Sequence, residues 1–254
     1  METTVHVPAE VTLRREITPD LWVLRLLPEE PLPFQPGQFA TLGLPDGTNI
    51  VERAYSIASS PAEPELEFFL ERVPQGALSQ RLHALVAGDR VFVRRVARGR
   101  FLLAEDDGPG THLMIATVTG VAPFVSMLRT LRRDEDSSHR SPGHRVFLAQ
   151  GASHSREFGY DEEFARFEKE TGWFRYVPAV SRPWDDASWG GEKGRLPGLL
   201  PKFLEQFGID AARTTAYLCG NPDMISACKG VLEGAGFSKD SLREERYWAS
   251  DTAR

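Results

Sequence analysis

An antiparallel β-barrel followed by a doubly wound α/β domain with a parallel sheet is the fold class this sequence predicts. Two patterns and the break between them predict it. Residues 1–105 carry short apolar strands separated by tight turns, whereas from about Gly110 continuous apolar runs alternate with helical periods. Asp106-Asp107-Gly108-Pro109-Gly110 is polar and turn-rich, and it divides the chain into domains at 1–105 and 110–254.

In the first domain the strands are Leu21–Leu26, Gln38–Leu42, Leu66–Leu70 and Arg90–Val93. Turns at Pro36-Gly37, Pro45-Asp46-Gly47, Ser60-Pro61 and Ala87-Gly88-Asp89 punctuate them. One helix interrupts the series, because Leu78, Leu82 and Leu85 share a face of Ala77–Leu85. In the second domain Leu113–Ala116, Val146–Ala149 and Ala216–Cys219 are apolar throughout, as strands buried on both faces must be. Helical periods follow them at Val121–Arg133, Arg156–Thr171 and Pro222–Gly236. Arg132–Gly143 reads as a polar surface loop and Pro183–Gly194 as an irregular stretch.

The 254 residues carry a net charge of −6, which gives no support to a nucleic-acid or anionic-membrane partner. No apolar run is long enough for a membrane-spanning helix, and the first residues lack the basic-then-apolar pattern of a secretory signal. A soluble, cytoplasmic, monomeric protein is expected. Cys219 and Cys228 are the only cysteines, too few for a disulfide framework or a four-thiolate iron–sulfur cluster. The six histidines are scattered, and His139 and His144 sit in a polar loop without a carboxylate frame, so no metal site is expected. Hydrolase motifs are absent as well.

Four segments carry chemistry. In Arg53-Ala54-Tyr55-Ser56-Ile57-Ala58, strand alternation puts Arg53 and Tyr55 on one face and Ala54 and Ser56 on the other. Arg53 offers a bidentate fork for phosphate, Tyr55 a flat ring for stacking, and Ser56 a small donor and acceptor. The same residues also describe an ordinary strand with a core Tyr and a surface Arg. Gly76-Ala77-Leu78-Ser79 opens the short helix; its backbone N–H groups and Ser hydroxyl suit an anion, and equally a plain turn and N-cap. Thr119-Gly120-Val121-Ala122-Pro123 and Cys219-Gly220-Asn221-Pro222 each join an apolar strand to a helix, with glycine permitting close backbone approach and proline fitting the first helical turn.

Taken in order, these motifs resemble the ferredoxin–NADP reductase superfamily. Arg53-Ala54-Tyr55-Ser56 is similar to its flavin signature, Thr117–Phe124 to its Thr-Gly-x-Ala-Pro cofactor turn, and Tyr217–Met224 to its Cys-Gly-x-Pro turn. Glu244-Glu245-Arg246-Tyr247-Trp248 resembles the aromatic-ended last strand of the bacterial ferredoxin or flavodoxin reductases. The resemblance implies FAD on the barrel, held by Arg53, Ala54, Tyr55, Ser56, Ile57, Ala58, Val73, Gly76, Ala77, Leu78 and Ser79. Ile57 and Ala58 would offer backbone groups to the flavin's polar edge. It implies NADP(H) on the α/β domain, with Thr119 and Gly120 at the nicotinamide entry and both rings meeting between the domains. Tyr247 would lie against the flavin and Trp248 on the FAD adenine. Ser56, Cys219 and Glu245 would be the catalytic group, Cys219 by positioning rather than nucleophilic attack.

Arg182 and Arg195 resemble the pair that binds the 2′-phosphate of NADP, a dianion that suits guanidinium forks. Solvated loop arginines are the alternative. The family often has a further Arg where this chain has Ser153, with His154 or Arg156 as candidate substitutes. The implied activity is that of an FAD-dependent ferredoxin or flavodoxin–NADP reductase. Hydride would pass between nicotinamide and flavin N5, and single electrons would pass to a separate ferredoxin or flavodoxin. Arg72, Arg81, Arg94, Arg95, Arg98 and Arg100 could steer such an acidic carrier. A reductase serving an oxygenase or a free flavin, or a non-catalytic flavin-binding subunit, is the alternative.

Overall fold

Strand alternation and turn chemistry build the first half. The computed structural model describes residues 5–103, 110–138 and 143–247. β1 (His6–Thr18), β2 (Leu21–Pro28), β3 (Phe39–Asp46), β4 (Asn49–Ser56), β5 (Leu66–Glu71), α1 (Ser79–His83) and β6 (Arg90–Arg94) follow one another. The strands make one antiparallel sheet in the order β4-β3-β6-β1-β2-β5, and its two edge strands, β4 and β5, come into contact. Inward positions at every second residue, such as Ala40, Leu42 and Leu44, form the core with Trp22, Leu24, Leu26, Phe68 and Leu70. Leu78 and Leu82 add to it from α1. That helix spans five residues rather than the nine expected; its N-cap, Leu78, has no side chain able to accept an N–H.

The second half is built from β7 (Thr111–Thr117), α2 (Ala122–Ser138), β8 (Arg145–Ala152), α3 (Asp161–Glu170), β9 (Phe174–Val180), β10 (Glu192–Lys193), α4 (Leu196–Gln206), β11 (Thr214–Gly220), α5 (Pro222–Gly234) and β12 (Leu242–Arg246). Every strand pair is parallel, in the order β10-β9-β8-β7-β11-β12. Barrel-like sheet and parallel sheet both match the predicted fold class.

Three further details differ from expectation. α2 runs on to Ser138, into the expected loop, whose residues 139–142 lie outside the described ones, and Glu135 of that extension accepts the Trp173 indole N–H at 3.0 Å. The expected Arg156–Thr171 helix splits into a 3-10 turn at Ser155–Glu157 and α3, because Gly159 lies between them at φ 73°. The β9 and α4 pair is an addition. Pro178 masks the strand, and Pro197, Gly198 and Pro201 mask the helix. An interior proline costs about 3 kcal/mol. The fully buried Leu196, Leu200 and Phe203 outweigh it, at about 1.5–3 kcal/mol each.

The described residues fall into two compact units, 5–103 with 122–133, and 110–121 with 134–247. Most of α2 therefore packs in the first unit. Its Ser126 hydroxyl donates to the Ser59 carbonyl at 2.6 Å, and Arg129 meets the buried Glu67 carboxylate at 3.1 Å. Gly37 admits the helix: at φ 95°, an added Cβ would lie 2.0 Å from the Phe101 carbonyl oxygen and 2.6 Å from the Met127 methyl. Among the described residues no helix is long and apolar enough to cross a membrane.

In the second unit His144 Nδ1 and His112 Nε2 are 2.8 Å apart, and burial holds the His144 imidazole below its ordinary value. The unfolded chain takes up this proton first. The stabilisation is thus complete above about pH 6.5 and is lost as pH falls from there through the lowered folded value. Thermal melts between pH 5 and 8 should show this loss, and His144→Gln should flatten that part of the curve.

Candidate functional site

In the first unit the Arg-x-Tyr-Ser segment ends an edge strand. Register pairs Tyr55 with Ala40 and Arg53 with Leu42, so both lie on the core-facing side of the sheet. Arg53 nevertheless reaches solvent, with Nη1 donating to the Glu52 carbonyl at 2.7 Å. Tyr55 packs its ring partly against the core, and burial pushes its phenol up to about 12, so the hydroxyl keeps its proton. Ala54 is exposed on the opposite face, while Ser56 is buried at the strand end. Ile57 and Ala58 are fully buried, and their N–H groups are already given to the carbonyls of Gln38 and Glu67. What they can offer a ligand is carbonyl oxygens and backbone surface.

The Val73–Ser79 turn is tightly closed. Val73 N–H donates to the Ser79 hydroxyl at 3.2 Å, and the Val73 carbonyl accepts from Gly76 N–H and the Gln80 amide. Gln75 takes φ 63° to make the bend, and a Cβ on Gly76 would lie 2.5 Å from Ser79 Oγ. Ala77 stays exposed and Leu78 is buried. The Ser79 hydroxyl thus holds the turn, which leaves the first N–H groups of α1 facing outward from the helix start.

In the second unit the two strand-to-helix turns interlock. A Cβ on Gly120 would lie 2.4 Å from the Cys219 carbonyl oxygen, and one on Gly220 (φ 119°) would lie 2.4 Å from Thr117 Oγ1. Thr117 Oγ1 accepts the Asn221 N–H at 2.9 Å, and the Asn221 side chain caps α5. Thr119 is buried beside Gly120 in a 3-10 turn. Sequence reasoning missed the strain here: Val118 has φ 43°, an outlying conformation for a β-branched residue. It also missed the buried Gln150, whose amide donates to the Val118 and Phe158 carbonyls and accepts from the Tyr176 hydroxyl. Nothing in local sequence signals either feature, since the Gln150 partners lie 8, 26 and 32 residues away.

Cys219 is fully buried. Burial pushes its thiol well up, the Glu245 carboxylate adds to this, and a hydrogen bond with Tyr247 opposes it. The group is a thiol, suited to packing. Glu245 is its register partner on β12, and Tyr247 N–H donates to the Gly220 carbonyl at 2.9 Å. The structure thereby gathers Thr119, Gly120, Cys219, Glu245 and Tyr247 at one end of β7, β11 and β12. Trp248 lies outside the described residues.

Arg182 and Arg195 come together through the sheet. Ala152, Val180 and Lys193 are register partners on β8, β9 and β10, so His154, Arg182 and Arg195 each follow two residues beyond that row. Both arginines are exposed, and neither makes an ion pair among the described residues. Asp185 and Asp186 are nearby in sequence but occupied. His154 bridges Glu157 and Asp185, and Asp186 accepts from Ser155 and Ser188, which hold its carboxyl below the usual range.

The expected steering cluster is largely neutralised. Arg72 pairs with Asp20, Arg94 with Glu52 and Arg95 with Glu30, while Arg81 donates to the Pro45 carbonyl. Arg98 and Arg100 are exposed without an ion pair among the described residues, and Arg98 bridges to Phe39, the register partner of Ser56.

Residues 8–101 match the sequence pattern of the oxidoreductase FAD-binding domain, and residues 114–230 that of the oxidoreductase NAD-binding domain. Flavodoxin/ferredoxin–NADP reductase of Escherichia coli (strain K12) is 37% identical over 199 residues, covering 76% of this chain and 77% of that one. The chain belongs to the flavodoxin/ferredoxin–NADP reductase family. It is an oxidoreductase with FAD- and NAD(P)-binding domains. A ferredoxin–NADP reductase from Neisseria gonorrhoeae, solved with bound FAD and NADP, superposes with a TM-score of 0.83 at 25% identity, over 96% of this chain and all of that one. The reductase component of phenol 2-monooxygenase from Pseudomonas sp. (strain CF600) is 32% identical over 94% of this chain and 65% of its own length. For a family whose members exchange electrons with a small carrier, the Arg53–Ser56 strand falls in the FAD-binding match, and the interlocked turns and both arginines fall in the NAD-binding one.

Proposed function

We propose that the chain is an FAD-dependent reductase that takes hydride from NADPH and passes electrons singly to a separate ferredoxin or flavodoxin, as a monomer in the cytoplasm. Residues 1–105 carry the FAD site and 110–254 the nucleotide site. The observation that carries the NADP preference is the Arg182–Arg195 pair, two solvent-facing guanidiniums leaving neighbouring strands in step with no carboxylate partner among the described residues.

The residues fit both groups. Tyr55 supplies a partly exposed ring beside the Arg53 fork, and Ser56 a hydroxyl at the strand end. When bound, FAD supplies a ring that takes hydride and releases electrons one at a time. Arg53 and the first N–H groups of α1 hold phosphate charge. The Gly120 and Gly220 turns admit the nucleotide backbone, and the protonated Cys219 thiol packs at its reacting end. Glu245 sits at the same strand ends, able to hold a proton at its carboxylate. Arg98 and Arg100 attract the acidic carrier at the Ser56 side of the sheet.

Purified protein should absorb as a flavoprotein and bleach on anaerobic NADPH. Arg182→Ala and Arg195→Ala should each raise KM for NADPH roughly ten- to a hundredfold, the loss of a charged hydrogen bond at about 1.5–3 kcal/mol, and leave KM for NADH unchanged. A protein that binds no flavin, or that prefers NADH, would sink this reading. Delivery to an oxygenase is a second reading, favoured by the phenol 2-monooxygenase relative that matches 94% of the chain. Reduced enzyme offered ferredoxin, flavodoxin and oxygenase acceptors in turn separates the two.

A further inference from the structure

The Ser181–Gly191 excursion between β9 and β10 contains two tryptophans with opposite fates. Trp189 is anchored: its indole N–H donates to the Glu192 carbonyl at 2.8 Å, and its ring packs on Phe158 at a centroid distance of 5.6 Å. Trp184 is 74% exposed, and it is the only aromatic among the large exposed hydrophobic side chains of the described residues. Isolated aliphatic exposure is ordinary. An indole facing water from a rigid turn, two residues from Arg182, calls for a different reason.

The turn is rigid on every side. Pro183 sets the backbone at the start of the 3-10 turn Pro183–Asp185. Asp185 is tied to His154, and Asp186 to Ser155 and Ser188. Ser181 and Arg182 N–H groups bond to the carbonyls of Ala152 and Ser153. The contacts with Ala152, Ser153, His154 and Ser155 come from the end of β8 and the loop after it, so two strand-end loops together pin the backbone that carries Trp184. A ring carried on a pinned backbone can then stack on a ligand without the cost of ordering the loop.

We propose that Trp184 is the stacking platform for the adenine of the dinucleotide, with Arg182 and Arg195 holding the adjoining ribose phosphate. This rests on the nucleotide reading above and deepens it. A base placed on the indole lies within side-chain reach of Arg182, because both residues belong to the same pinned turn. Such a platform adds affinity for the adenosine half whatever the 2′ substituent. Trp184 therefore sets nucleotide affinity, while the arginines set the choice between phosphorylated and unphosphorylated ribose.

Titrating the full-length flavin-loaded protein calorimetrically with 5′-AMP and with adenosine 2′,5′-bisphosphate tests this. Trp184→Ala should weaken both about tenfold, equivalent to about 1.4 kcal/mol. Trp184→Phe should keep both within about threefold of the parent and should lose most of the tryptophan quenching seen on binding. Equal affinities in the parent and Trp184→Ala, at unchanged melting temperature, would overturn the platform. A parent that loses AMP on Trp184→Ala but does not favour the bisphosphate would keep the platform and refute the NADP reading. A parent that binds neither nucleotide refutes both.

Discussion

Glu67→Gln is expected to destabilise the protein by about 3 kcal/mol, read by chemical denaturation, because it takes the buried carboxylate from Arg129 and leaves that guanidinium the half-exposed Glu63 at 3.6 Å. The carboxylate is 2% exposed and faces Arg25 at 2.6 Å and Arg129 at 3.1 Å, while the Glu67 backbone N–H donates to Ser59 Oγ at 3.1 Å. Arg25 is 39% exposed and keeps Glu65 at 3.8 Å as well as water; Arg129, at 14%, keeps the more distant Glu63 and is the partner that suffers. The double variant Glu67→Leu with Arg129→Leu should recover most of the loss, since removing both members of a buried pair costs far less than stranding one. If the single and double variants are equally unstable, packing volume and not charge is what Glu67 provides.

The second large effect concerns the nucleotide turns. Gly120→Ala should slow single-turnover reduction by NADPH about a hundredfold, the cost of misplacing a reactant by about 1 Å. An added Cβ would lie 2.4 Å from the Cys219 carbonyl oxygen and 2.8 Å from the Gly220 Cα. Ordinary C···O contacts need about 3.3–3.6 Å, and both neighbours are backbone, so the two turns have to part. Bound flavin should be unaffected. A reduction rate within about threefold of the parent would show that the contact does not position the nucleotide.

Fold class was legible because it depends on period and punctuation, which are local. The apolar runs at Leu113, Val146 and Ala216 became central parallel strands, and the turn-separated runs became the antiparallel sheet. Where prolines interrupted the pattern, as in α4, burial of Leu196, Leu200 and Phe203 decided the outcome, and no window of sequence contains that information. The same division holds at the candidate site. Glycines and arginines stand out as letters, so the two turns and the Arg182–Arg195 pair could be named. The commitment of the Ile57 and Ala58 N–H groups, the contact of Gln150 with Val118 and the neutralisation of Arg72, Arg94 and Arg95 depend on partners 9 to 65 residues distant. Charge on a sequence is only potential charge on a surface until its counter-ions are placed.

Helix α2 starts from the Gly120 turn yet spends its first three turns against the β-sheet unit, through Ser126, Met127 and Arg129. A fragment cut after Leu103 would therefore leave Glu67 half-paired and the groove beside Gly37 uncovered. Grafting this nucleotide-binding half onto another flavin module would have the same defect unless residues 122–133 stay with the sheet they cover. The chain is continuous through a seam that packing draws elsewhere, and exchange of halves, in the laboratory or over evolution, has to respect the packing.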